Sequence, residues 1–304
     1  MRQQAFSKRA LIESSLIAGI VSIFAIIGAI IPLLSILLIL LPVPFIFLTV
    51  RHKFIYSFLS IIITSLVLGI FLGIIYSFFI LLMIVPMTIV MGRYIKKEKE
   101  PFFVIATGTM VATISTFFII QLVGEINITQ IMADAMREVL ANQQEMLLSF
   151  NLTAAVEVEN MINYFIMLLP ALLVIQATVS TFANYYLCIA SLRRFAVKNI
   201  KLSEFSSFKL PKNIVLGASI IFALSFLTRY VEGLYHDALI MNVVVIFAFI
   251  FFMQGLAFIN YYMKKMKVHK ALRVILTITV VLVGPIMTVT SFIGAIDSIF
   301  DIRK

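Results

Sequence analysis

The sequence predicts an all-helical polytopic membrane protein, a bundle of eight or nine spans, and three observations predict it. Hydrophobic residues make up 62% of the 304 and charged residues only 12%, whereas a soluble domain is about half apolar and a quarter charged. The apolar residues run in long stretches, each near once or twice the roughly 20 that a helix needs to cross a hydrocarbon core. The basic residues cluster between those stretches. Too few polar side chains remain to cover a water-facing surface, which excludes a soluble enzyme, a nucleic-acid-binding domain and a disordered chain. The net charge of +10 therefore speaks to membrane orientation. The single Cys188 cannot form an intrachain disulfide.

The first apolar stretch, Ala10–Val50, is about twice the spanning length, with Lys8 and Arg9 before it and Arg51 and Lys53 after it. Basic residues mark the cytoplasmic side, so a stretch basic at both ends crosses an even number of times. Two crossings meeting near Ile31-Pro32 satisfy length and charge. The same holds for Phe54–Met91, bounded by Lys53 and by Arg93, Lys96, Lys97 and Lys99, with a turn expected near Gly69–Gly73. A fifth span, Phe102–Val123, leads to an acidic outer segment, Glu125–Asn160, and a sixth, Met161–Leu192, returns to Arg193 and Arg194. Spans over Ile214–Thr228 and Ala238–Tyr262 flank a short outer turn and end at Lys264, Lys265, Lys267 and Lys270.

A last span, Val274 to about Ala295, is expected to cross with a proline kink at Gly284-Pro285; a re-entrant piece broken there is the alternative. Of the 24 bases, only Arg137 and Arg229 fall in outer loops, with Arg303 and Lys304 on the tail, so the amino terminus is expected in the cytoplasm. Leu16–Ile31 resembles a signal-peptide core, but no small-residue cleavage site precedes the next span, so it reads as a retained helix. The abundance of Ile, Phe and Lys without Trp fits a low-GC bacterium and its plasma membrane. The division read from the sequence is 1–192, a basic connector 193–213, and appended helices 214–304.

Ala10, Ser14, Ala18 and Ser22 place a small residue at every fourth position of the first helix. Such a face admits close helix approach, either from a partner subunit or from within the bundle. On the sixth span Gln176, Ser180, Asn184 and Cys188 form a polar stripe, with Thr181 and Tyr185 beside it. Lipid cannot satisfy such groups, so they face a cavity or other helices: the wall of a ligand pocket, or an interhelical hydrogen-bond lattice. Gln254 and Asn260 make a weaker version on the eighth span. Asn127–Phe150 spaces Ile128, Met132, Met136, Val139 and Leu140 as an amphipathic outer helix, a lid or a surface element. The inner segment Arg193–Lys212 mixes aromatic and basic residues and suits an anionic leaflet.

Enzyme signatures are missing. His52, His236 and His269 lie in loops, no HExxH, GxSxG or P-loop occurs, and Cys188 has no nearby histidine in sequence. Carboxylates deep in the membrane are nearly absent, which argues against a transporter that couples by itself. No cofactor, metal site or nucleic acid is expected.

Leu11–Pro32, ending Ile-Gly-Ala-Ile-Ile-Pro, is followed by Leu41-Pro-Val-Pro-Phe45 and Arg51-His-Lys, and the chain closes with Gly294-Ala-Ile-Asp-Ser-Ile-Phe-Asp-Ile-Arg-Lys304. Over its whole length it resembles the YybS-like family of bacterial membrane proteins. The first six spans resemble, more distantly, the substrate-binding S components of energy-coupling-factor transporters. That resemblance implies a six-helix half, docking of a transmembrane coupling subunit with ATPases through Ala10, Ser14, Ala18 and Ser22, and a ligand near Pro42, Pro44, Gln176, Ser180 and Asn184. The three helices after Arg193 depart from that pattern. The expected function is a non-enzymatic component that binds a small, mostly apolar or heteroaromatic solute and needs an energised partner; the alternative is a membrane scaffold that binds proteins and transports nothing.

Overall fold

The computed structural model describes residues 7–122, 130, 131, 133–135, 137, 138, 155–195, 197, 204–231, 233 and 235–303, the side chains of Pro32 and 155–159 excepted. The described elements are helical: α1 Lys8–Ile30, a 3₁₀ segment Pro32–Leu40, α2 Pro42–Arg51, α3 Phe54–Leu72, α4 Ile74–Lys96 and α5 Pro101–Leu122. They continue with α6 Ala155–Met167, α7 Leu169–Arg194, a 3₁₀ turn Phe205–Ser207, α8 Lys212–Leu227, a 3₁₀ turn Thr228–Tyr230, α9 His236–Lys265, α10 Lys270–Leu282 and α11 Gly284–Phe300. Among the described residues eight helices are long and apolar enough to span, the second of them running over Leu33–Arg51. The turns fall where glycine and proline place them: α1 stops just before Pro32, and α3 stops at Gly73, whose φ of 100° suits a residue without Cβ. Of the segment 127–150, the described positions among 130–138 are helical, and Arg137 pairs with Asp134 at 2.8 Å; its other positions lie outside the described residues, as do 198–203 of the inner connector.

The chain divides into two compact units. Unit 1 is Met1–Leu122 with Gln176–Leu202, and unit 2 is Val123–Ile175 with Ser203–Lys304. This differs from the sequence-based boundary at Arg193, because the α6–α7 junction packs with the later helices while α7 beyond Ile175 packs with the earlier ones.

In unit 1, α1 lies on α3 through the small-residue face. Ala10, Ser14, Ala18 and Ser22 are all buried, and the Ser60 and Thr64 hydroxyls of α3 donate to the carbonyls of Ser14 (2.8 Å) and Ala18 (3.4 Å). The core continues through Phe45, Ile46 and Leu48 of α2 to Met87 and Met91 of α4 and Ile189 and Leu192 of α7. A Cβ on Gly92 would meet Thr49 at 2.5 Å, and one on Gly108 would meet Thr181 at 2.5 Å, so these crossings require glycine.

In unit 2, α11 crosses α9 backbone on backbone. A Cβ on Gly255 would sit 2.0 Å from the Thr290 carbonyl oxygen, and one on Gly294 would sit 1.9 Å from that of Phe251. Where the sequence predicts a single proline-kinked helix, the chain forms two helices, a broken span or a re-entrant pair. α10 and α11 meet at 104°, because Val283 is extended (φ −103°, ψ 102°) and Pro285 cannot donate within the new first turn. At about 1.5 Å per residue, the 13 residues of α10 are too short to cross the core alone.

Candidate functional site: sealed helix breaks and an apolar cavity

Proline opens the second span. In the 3₁₀ segment the Ile39 carbonyl awaits an N–H three residues on, but that residue is Pro42, which has none. Such an orphan in a membrane interior needs another donor. Asn184 supplies it from α7, Nδ2 donating at 2.9 Å, and the Ser180 hydroxyl lies at 3.4 Å from the same oxygen. Asn184 Nδ2 also donates to the Ser180 carbonyl at 2.7 Å, while its Oδ1 is buried without a partner. Pro42 is buried and Pro44 half-buried in the first turn of α2.

The predicted stripe therefore divides. Ser180, Thr181, Asn184 and Cys188 are buried, but Gln176 is exposed. Two steps of four residues rotate a helix by about 80°, enough to carry Gln176 off the buried face. The structure brings Ser180 and Asn184 to the break at Pro42 and leaves Gln176 apart.

A second break lies between α6 and α7, inside what the sequence reads as one span. Pro170 lacks an N–H, and the Ala171 N–H turns away from the helix to Asn242 Oδ1 at 2.7 Å. The Met167 carbonyl, deprived of these donors, accepts from Asn242 Nδ2 at 2.7 Å. One side-chain amide thus replaces a missing turn of backbone pairing. Hydropathy passed over this residue; the signal was Pro170 together with an asparagine in an apolar run.

A third amide, Gln254, sits 2% exposed in α9. Its Oε1 accepts from the Leu210 N–H at 3.0 Å, one residue before Pro211, and its Nε2 donates to Asp297 Oδ2 at 2.6 Å. Arg303 reaches the same oxygen with Nε at 3.0 Å and Nη2 at 2.8 Å, and donates to the carbonyls of Ser206 (3.0 Å) and Phe208 (2.8 Å). Lys209 bonds Asp301 at 2.5 Å and the Arg303 carbonyl at 3.0 Å. Nearby, Lys264 pairs with Glu204, and that bond is the main cause holding the Glu204 carboxyl below its ordinary range. The carboxyl-terminal tail is thus tied to the 204–210 segment and to the basic end of α9.

Glu13 organises one end of unit 1. Its Oε1 accepts from Arg9 and Arg51, each at 3.0 Å, and its Oε2 lies 2.7 Å from His52 Nε2. Lys96 donates to the His52 carbonyl at 2.7 Å. An acid near a span end thereby fixes the α2–α3 turn on α1.

Among the described residues no three His, Cys, Asp or Glu side chains gather as a metal site. Cys188 is fully buried in the apolar core with Ile189 and Leu192. What unit 2 offers is space: a half-open cavity of about 960 Å³ lined by Leu172 and Ile175 of α7, Ala218 and Phe222 of α8, Ala248 of α9 and Phe292 of α11, among others. Its hydroxyls donate within their own helices, Ser219 to the Val215 carbonyl at 2.9 Å, Ser291 to that of Met287 at 3.0 Å and Thr288 to that of Gly284 at 3.4 Å.

Apolar helices, breaks sealed by side-chain amides and an uncharged, largely apolar cavity define an integral membrane protein. The chain belongs to the family described as predicted membrane protein (DUF2232), whose model matches residues 19–298. It is 29% identical to the uncharacterized protein YybS of Bacillus subtilis (strain 168) over 311 residues, covering 97% of this chain and 98% of that one. No solved structure matches it.

Proposed function

We propose that this protein is a non-enzymatic binding component of a membrane transport system, holding an apolar ligand in the cavity of unit 2 and relying on a separate energised partner. The single observation that carries this reading is the cavity itself. Its volume of about 960 Å³ is at the upper end of ordinary ligand sites, and its lining is apolar as such sites mostly are. Ser180 and Asn184, expected to wall a ligand, lie at the Pro42 break of unit 1 and not in this cavity. The reading places the protein in the bacterial plasma membrane with the amino terminus in the cytoplasm, following its basic residues.

A scaffold role has one observation in its favour. The face of Ala10, Ser14, Ala18 and Ser22 is filled by α3 of the same chain, so it offers a coupling subunit nothing to dock on without rearrangement. Native mass spectrometry in mild detergent separates the two. The transport reading expects a retained ligand mass that disappears in Ala248→Phe, which fills the cavity, and persists in Asn184→Leu. Wild type and both variants flying as the bare chain would favour the scaffold.

A further inference from the structure

We infer that the ligand of this cavity is a long hydrocarbon chain, the tail of a bilayer lipid, received through the membrane and not from water. The inference rests on the binding reading above and names its ligand class.

The lining selects against everything else. None of its residues carries a charge. Its three hydroxyls already donate within their own helices: Ser219, Ser291, and Thr288 to the Gly284 carbonyl at 3.4 Å. A solute carrying several acceptors would find no free donor, since these hydroxyls offer only their lone pairs, and each acceptor buried unpaired costs about 1–3 kcal/mol by protein mutational data. An empty void forfeits dispersion contacts along its whole lining. A hydrocarbon chain supplies those contacts and brings no polar group inside.

The rim fixes the direction of approach. Phe292, Val244 and Phe222 on the wall are 67%, 43% and 38% exposed, and all three are apolar. A mouth opening to water would bury or fringe such residues with polar ones; a mouth opening to lipid has no need to. Because lipid tails are as apolar as the lining, transfer from the bilayer brings little hydrophobic gain. Selectivity then rests on shape: the length and unsaturation of the tail that fills the space between α8, α9 and α11.

The chain lacks Trp, so a single introduced Trp reports without background. Phe222→Trp is placed in the cavity wall, and Phe117→Trp, on an exposed apolar position of α5 in unit 1, reports ordinary lipid contact. Each is purified in mild detergent and titrated with phosphatidylcholine carrying 9,10-dibromostearoyl chains, whose bromines quench Trp on contact, and separately with free 9,10-dibromostearic acid. We expect a saturable quenching component with the phospholipid at Phe222→Trp alone, reversed by the unbrominated lipid and lost when Ala248→Phe is added.

Linear, equal quenching at both positions would overturn the lipid-tail inference. Saturation by the free acid with none by the phospholipid would assign a free fatty acid and overturn the bilayer-lipid source. A retained non-lipid mass that competes with neither would leave the binding reading standing and remove this one. If Ala248→Phe fails to fold, Ala295→Leu on the opposite wall serves the same purpose, and quenching unchanged by it would count against the cavity as the site.

Discussion

Arg303 grips a single oxygen of Asp297, Nε at 3.0 Å and Nη2 at 2.8 Å, with both side chains only 1% exposed. The pair is six residues apart in sequence and straddles the end of α11, so it pins the tail back onto its own helix. The other Asp297 oxygen is buried without a partner. Arg303→Ala strands this carboxylate, and breaking a buried pair from one side costs about 3–5 kcal/mol. A large drop in melting temperature in detergent is expected, with much of it recovered in the double variant Asp297→Leu/Arg303→Met. Equal losses in the single and double variants would deny the pairing its role.

The two asparagines at the proline breaks carry unequal weight. Asn242→Leu unpairs the N–H of buried Ala171 and the carbonyl of half-buried Met167 together, a loss of about 1–3 kcal/mol. Asn184→Leu leaves the Ile39 carbonyl its contact with Ser180 and removes an amide whose Oδ1 was unpaired, so it should cost nearer the typical 0.6 kcal/mol or so of a membrane hydrogen bond. Thermal unfolding followed by circular dichroism should rank Asn242→Leu clearly below Asn184→Leu, and the reverse order would contradict the backbone-replacement account.

Close helix crossings give a third expectation. Gly294→Ala drives a Cβ into the Phe251 carbonyl, and Ala18→Leu overfills the face that α3 occupies; each should destabilise by about 1–3 kcal/mol. Gly19, with nothing within 4 Å of an added Cβ, is the control: Gly19→Ala should be neutral or gain up to about 1 kcal/mol. Should Ala18→Leu melt like wild type, the α1–α3 contact would not be what this face is for.

The tail's ties to Lys209 and to the Ser206 and Phe208 carbonyls predict the side on which the chain ends. Glu204 of that segment pairs with Lys264, so the tail shares a side with the basic end of α9. In a Cys188→Ala background, Lys267→Cys and Ile302→Cys should label only after the membrane is permeabilised, and Gly233→Cys on intact cells. Labelling of Ile302→Cys together with Gly233→Cys would show that α10 and α11 together make a ninth crossing.

The sequence by itself determined the class, the positions of eight spans and the turns between the first four, because these follow from local quantities: runs of apolar residues, basic clusters, and glycine or proline at Ile31-Pro32 and Gly69–Gly73. It also marked Asn184 and Ser180 as polar groups that lipid cannot satisfy. What it left open was the partner of each, since Asn184 meets Ile39 across 145 positions and no local pattern encodes that pairing. The break at Pro170 escaped because hydropathy averages over it, and the amide that mends it, Asn242, lies 71 positions away. A Gly-Pro pair is compatible with a kink or a sharp break, and only the crossing of α11 over α9 at Gly255 and Gly294, with Asp297 drawn in to Gln254 and Arg303, decided for the break. The cavity is likewise a property of four helices at once: each lining residue is an ordinary apolar side chain, and only their packing leaves a space between them.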